Sequence, residues 1–92
     1  KWSNVAQGMN EIFTKFAICS ENGVEPDSAH AQALVKLLKG YITDNYYTCT
    51  DEILLSLGQM YVTDERFKNN IDKHGDGTAV FISEAISAFV KK

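Results

Sequence analysis

The stretch "LLSLGQMYVTDERF", Leu54 to Phe67, decides how the chain is read. Leu54, Leu57, Met60 and Tyr61 recur at helical spacing, and "TDER" then offers a second helix start, a capping threonine followed by two acids. One residue is out of keeping. Gly58 sits in mid-helix, where glycine costs about 1 kcal/mol relative to alanine. Such a cost is tolerated when something approaches the backbone closely, and the candidates are a neighbouring helix or a ligand.

Outward from this stretch the helical template wins in every window, and no run alternates apolar and polar residues long enough to make a strand. The fold class is therefore all-α. A first helix is expected from Trp2 to Cys19, with Trp2, Val5, Met9, Ile12, Phe13 and Phe16 inward, ending at "SENGVEPDS" with Gly23 and Pro26. A second opens near Asp27 or Ser28 and carries Ala33, Leu34, Leu37, Leu38, Tyr41 and Ile42 on one stripe. Thr48 or Thr50 caps the third, which buries Ile53, Leu54, Leu57, Met60 and Tyr61. The fourth is brief, about Asp64 to Lys73, with its cap at Thr63. After "HGDGT", Thr78 or Asp76 caps a fifth helix whose Val80, Phe81, Ala85, Ile86, Phe89 and Val90 face inward. No internal repeat or low-complexity segment is present.

The chain has 92 residues, 45% of them hydrophobic, enough for one domain that buries about 60–65% of its unfolded surface without a staple. Its net charge of −3 argues against direct nucleic-acid contact, which needs clustered Lys or Arg. Lys91 and Lys92 read as a solvated helix end. Cys19 and Cys49 are expected to be reduced thiols, without a second pair to build a disulfide framework. Neither a signal peptide nor an apolar run long enough for a membrane span is present, so a cytoplasmic protein with no membrane partner is expected. The first residue is not methionine and helical spacing begins at the second, so the chain reads as a piece of a longer one.

Few residues carry catalytic or metal chemistry. "DKHGDGTAVFISE" resembles a calcium loop at Asp72, Asp76 and Gly77, but His74 stands at the third position and Ser83 at the twelfth, where a bidentate acid belongs. His30 and His74 have no ligand partners at metal spacing, so no metal and no cofactor are expected. Asp44, Asp51, Asp64 and Asp72 all lie beside turns or helix starts, where capping explains them. No nucleophile-elbow serine exists, and the chain is not read as an enzyme. The suggestive cluster is aromatic: Tyr41, Tyr46, Tyr47 and Tyr61, with Met60, around the junction of helices two and three. Cys49 stands at a helix N-terminus, where the dipole lowers a thiol pKa, and Ser56 follows two turns later. Cys49 is either a buried, inert thiol or one that faces a ligand.

The segment "LGQMYVTDERFKNNID", Leu57 to Asp72, resembles the signature of the TipA-S antibiotic-binding domains, the C-terminal effector-recognition domains of a subgroup of MerR-family transcriptional activators. The similarity continues through "YYTC", Tyr46 to Cys49, "EPDS", Glu25 to Ser28, and "AISAFV", Ala85 to Val90. It implies a compact five-helix, globin-like array acting as a drug sensor. It also implies that DNA-binding and dimerisation parts, absent from this chain, make the whole regulator a homodimer. Family ligands are large thiopeptide antibiotics, in some members joined to a cysteine immediately before the "LG" of the signature. Ser56 stands at that place here. A serine without a neighbouring base is too weak a nucleophile for spontaneous capture, and Cys49, which matches a second family cysteine, lies about 10 Å along the helix from it. Reversible binding of a bulky, largely apolar antibiotic or drug is therefore expected, with Tyr46, Tyr47, Cys49, Ile53, Ser56, Leu57 and Met60 as ligand-binding residues. The alternative is a protein-interaction module whose apolar cleft receives an amphipathic helix.

Overall fold

Each expected break in the helical pattern is made by a specific hydrogen-bonding device. The computed structural model describes residues 2–91, with side chains described from Gln7 onward. Trp2, Val5 and Lys92, expected on the first stripe and at the solvated end, have side chains outside the described residues. The elements are α1 (Trp2–Glu21), α2 (Ala29–Asn45), α3 (Asp51–Thr63), α4 (Glu65–Asp72) and α5 (Thr78–Lys91). The all-α reading with five helices holds.

α1 runs two residues past the expected Cys19. It ends where Gly23 takes φ +74°, a region closed to most side chains. The Val24 amide donates to Cys19 O and the Gly23 amide to Ser20 O, the paired bonds of a Schellman stop. Ser28 Oγ then accepts from the Ala31 amide and opens α2, and Thr50 Oγ1 accepts from Ile53 to open α3. Of the two threonines expected there, Thr50 is the cap.

At the α3–α4 corner the expectation of Thr63 as cap is off by one residue. Thr63 stays in α3, its hydroxyl donating back to Gln59 O, and Asp64 caps α4 by accepting from the Arg66 amide at 3.0 Å. The Asp64 amide closes α3 on Met60 O while its carbonyl accepts the first α4 bond from Lys68. A single extended residue thus separates the two helices. The start of α5 also differs from expectation. Thr78 is fully buried and turns its hydroxyl back to Gly75 O, while the carboxylate of Asp72, at the end of α4, accepts from the Ala79 amide at 3.0 Å. A negative group thus meets the positive end of α5 from the preceding helix.

The core runs between α3 and α5, the largest of the helix pairings, with α1 and α2 packed around them. Phe16, Leu38, Leu54, Ile71, Ile82 and Ile86 are fully enclosed. Two faces are rotated relative to the sequence reading. In α2, Ala31, Gln32 and Val35 are buried, whereas Ala33 and Leu37 point outward. The Gln32 amide donates to Pro26 O at 2.9 Å and to Ala85 O at 3.0 Å, and these bonds turn that face inward onto α5. In α5, Ile82 is buried where Val80 was expected, and Val80 is exposed.

The glycine question is settled by distance. A Cβ built on Gly58 would stand 3.2 Å from Ile86 Cδ1 and 3.5 Å from its Cβ and Cγ2. The neighbour is helix α5, and Gly58 does not line the cleft described below. Gly58→Ala is expected to stay within about 1 kcal/mol of the parent, since its gain in helix propensity offsets a small shift of one terminal methyl. Gly58→Leu, which forces α3 off α5, is expected to destabilise by about 3 kcal/mol or more. Urea denaturation of the two variants distinguishes close packing from a site that merely tolerates glycine.

Candidate functional site

Four segments each turn one helical stripe toward a common open cleft of about 730 Å³. From α1 come Met9, Asn10 and Phe13, and from the end of α2 Ile42, Tyr46 and Tyr47. α3 supplies Leu57, Met60 and Tyr61, spaced i, i+3 and i+4, and α4 supplies Phe67, Asn70 and Ile71 at the same spacing. Lys73 and His74, in the turn after α4, also line it.

The wall is aromatic. Phe13 meets Tyr61 edge to face, with centroids 5.9 Å apart and planes at 86°, and Tyr61 meets Phe67 at 6.0 Å. These separations are in the favourable range for ring pairs. Tyr46, Tyr47 and Phe67 are exposed at the mouth, between 41% and 49% accessible, and so hold apolar area in water that a ligand can cover.

The polar lining is built differently. The Thr14 hydroxyl donates to Asn10 O at 2.9 Å, so its remaining partner, His74 Nδ1 at 3.1 Å, must be the donor. That assignment leaves Nε2 of a neutral His74 as an acceptor. The His74 ring also leans on Phe13, with centroids 6.2 Å apart. Among the described residues, the side chains of Asn10 and Asn70 make no hydrogen bond, and no carboxylate lines the cleft.

Of the seven residues expected to bind a ligand, the structure brings Tyr46, Tyr47, Leu57 and Met60 to the cleft and leaves Cys49, Ile53 and Ser56 outside its lining. Ile53 shares a stripe with Leu57 and Met60 but lies one turn farther along α3. Ser56 is exposed on α3. Cys49 is buried, its amide held by Thr43 Oγ1 at 3.2 Å and its thiol directed to Thr50 O. The lowered thiol pKa expected from the helix dipole is not found. Burial pushes the Cys49 thiol up, Lys39 opposes this, and Asp51 adds to it. Tyr41, grouped with the other tyrosines in the sequence, instead lies over Gly8 of α1 and lines a separate shallow groove on α2. The residues missed as site residues are those of α1 and α4, with Ile42, Tyr61, Lys73 and His74. Met9, Phe13, Phe67 and Ile71 all read as core stripes, and only the aromatic Phe67 on a short polar helix hinted at more.

This arrangement defines a helical ligand-binding domain and, among the described residues, holds no cluster of three metal-ligating side chains. The comparisons with known proteins identify the family. The model of the TipAS antibiotic-recognition domain matches residues 1–89, and the chain belongs to that family. It is 36% identical over 85 residues to the HTH-type transcriptional activator mta of Bacillus subtilis, covering 92% of this chain and 32% of that one. It is 33% identical over 87 residues to the HTH-type transcriptional activator TipA of Streptomyces coelicolor, covering 95% and 34% respectively. The chain thus spans about a third of the length of the curated relatives it matches. Among solved structures, TipAS of Streptomyces lividans in complex with nosiheptide aligns with a TM-score of 0.90 at 32% identity, over 98% of this chain and 63% of that one. The antibiotic-binding domain of a TipA-class multidrug resistance transcriptional regulator aligns at 0.87, also at 32% identity, over 98% and 96%.

The cleft wall also carries a titration signature. Burial pushes the Tyr61 hydroxyl up to about 12, with smaller contributions from Tyr47, Cys49 and Tyr46, whose ionised forms repel a phenolate. The proton is held more tightly in the folded state. Tyr61 therefore contributes full stability below its unfolded value near 10 and loses it as pH rises through 12, about 2–3 kcal/mol in all. Chemical denaturation of Tyr61→Phe between pH 9 and pH 12 is expected to show a correspondingly shallower loss of stability than the parent.

Proposed function

We propose that this chain is the drug-sensing part of a MerR-type transcriptional activator and that the cleft captures a bulky, largely apolar antibiotic by reversible binding. One observation carries the reading: the cleft of about 730 Å³ has an aromatic wall, exposed rings at Tyr46, Tyr47 and Phe67, and a few hydrogen-bonding groups in its lining. A pocket of this size with mostly apolar lining and a few polar groups suits a drug-sized or larger molecule. The relative from Streptomyces lividans, with which the chain shares its fold, is known in complex with nosiheptide, a thiopeptide antibiotic. In the whole regulator, DNA binding and dimerisation fall to segments outside this domain, and the protein acts in the cytoplasm as a homodimer.

Reversibility follows from the nucleophiles. Ser56, at the place of the capturing cysteine in covalently acting members, is outside the cleft lining, and the Cys49 thiol is buried and held in its protonated form. The thiolate is the reactive species, so neither group is disposed to add to a bound antibiotic.

Differential scanning fluorimetry with nosiheptide tests the reading. At a hundredfold excess over Kd the melting temperature is expected to rise by about 15 °C, with an unchanged intact mass after removal of free compound. Phe67→Ala and Tyr47→Ala are each expected to weaken binding about tenfold; Tyr47→Ala leaves the melting temperature of the free protein nearly unchanged, whereas Phe67→Ala, which also loses its contact with Tyr61, lowers it by a few degrees. An unshifted melting temperature across a panel of thiopeptides sinks the sensor reading, and an adduct on Cys49 sinks its reversible form.

A further inference from the structure

The cleft carries a charge sign opposite to that of the chain. The protein as a whole bears −3, which at long range favours cations. Such fields fade over about 8 Å at physiological salt, so the groups lining the site decide what is held there. Among the described residues those groups include Lys73, His74, Asn10 and Asn70 and no carboxylate.

The two aspartates that flank α4 are engaged in helix capping. Asp64 caps α4 by accepting from the Arg66 amide, and Asp72 caps α5 through the Ala79 amide while standing 4.0 Å from Lys68. Lys73, by contrast, forms no ion pair among the described residues. Aromatic rings attract cations when they enclose a cation with their faces. Here Tyr61 packs against Phe13, edge to face, and against Phe67, so the three rings are joined through Tyr61 into one wall.

Building on the reading of this cleft as a drug site, we infer that it selects neutral or anionic aromatic compounds and rejects lipophilic cations, with Lys73 setting the sign. The polar groups of the lining fit carboxamide, phenolate or carboxylate groups: the ammonium of Lys73 and the amides of Asn10 and Asn70 donate, and the amide oxygens accept.

A matched pair of ions tests this. Tetraphenylborate and tetraphenylphosphonium have nearly the same shape and opposite charge, and each is used to displace the neutral fluorescent probe N-phenylnaphthylamine from the chain. The two ions differ in hydration as well as in sign, so the deciding quantity is the change in the ratio of the two affinities between variants. Lys73→Glu is expected to shift that ratio toward the phosphonium by about tenfold. Lys36→Glu makes the same change in net charge outside the cleft and is expected to leave the ratio within about twofold of the parent. An equal shift in both variants, or none in Lys73→Glu, overturns the selectivity while the cleft reading stands, provided Phe67→Ala still weakens the probe. Probe and ions that fail to bind, or that bind with affinities indifferent to Phe67→Ala and Tyr47→Ala, overturn the cleft reading and the selectivity together.

Discussion

The close crossing of α3 and α5 at Gly58 and Ile86 is the constraint on which the rest of the molecule depends. With no side chain at Gly58, Ile86 lies directly on the α3 backbone, and Leu54, one turn earlier, is fully buried. Fixing one face of a helix fixes the others, because successive residues turn by a constant angle. Leu57 and Met60, next to the Gly58 stripe, are thereby turned away from α5 toward the space between α1 and α4. The cleft is in this sense a product of the crossing. α3 has more apolar surface than α5 can cover, and the surplus is left lining an opening.

α4 completes the opening, and it is held mainly from its ends. Eight residues are too few for a stable isolated helix. Asp64 serves two helices at once, and Asp72 reaches across the turn to α5, so both the start and the end of α4 are tied to neighbours through backbone amides. Between these ties Ile71 is buried and Phe67 leans on Tyr61. The result sets the direction in which Phe67 and Asn70 face, and both aspartates serve as caps in doing so.

The helices were legible in the sequence because their boundaries are chemical. Gly23 with Pro26, Ser28, Thr50 and the Gly75–Gly77 turn each stop or start a helix by a local mechanism that no tertiary contact overrides. The corners where the cap was misplaced, at Asp64 and Asp72, had several adjacent side chains able to do the work, and the choice is made by three-dimensional position. Faces were less legible. In "AQALVKLLKG" apolar residues point nearly all round the helix, so the buried side is chosen by the bonds of Gln32 to Pro26 and Ala85, the latter a partner 53 residues away. Of the site, the α3 stripe and the two tyrosines after α2 could be found, because aromatic and apolar residues cluster there in sequence. The α1 and α4 contributions could not, because Phe13 and Ile71 are indistinguishable by pattern from residues that fill a core. Cys49 shows the limit of a local argument: its helix-start position predicts a reactive thiol, but burial raises its pKa and decides the matter.

That ambiguity between core and site has a physical basis. The cleft is lined by side chains of the kind that elsewhere fill the interior, at the same helical spacings, and what distinguishes them is that the opposing surface is missing. A molecule that supplies this surface adds to the same contacts that hold α4 against α3, since Phe67, Ile71 and Tyr61 belong to both the wall and the helix interface. Its binding free energy then appears as stability of the folded domain, and most strongly in the short helix that has least of its own. A shift between two states of a larger protein requires only that a ligand favour one of them. A domain whose fourth helix is better supported when the cleft is filled meets that requirement without any rearrangement of the α3–α5 crossing on which the cleft is built.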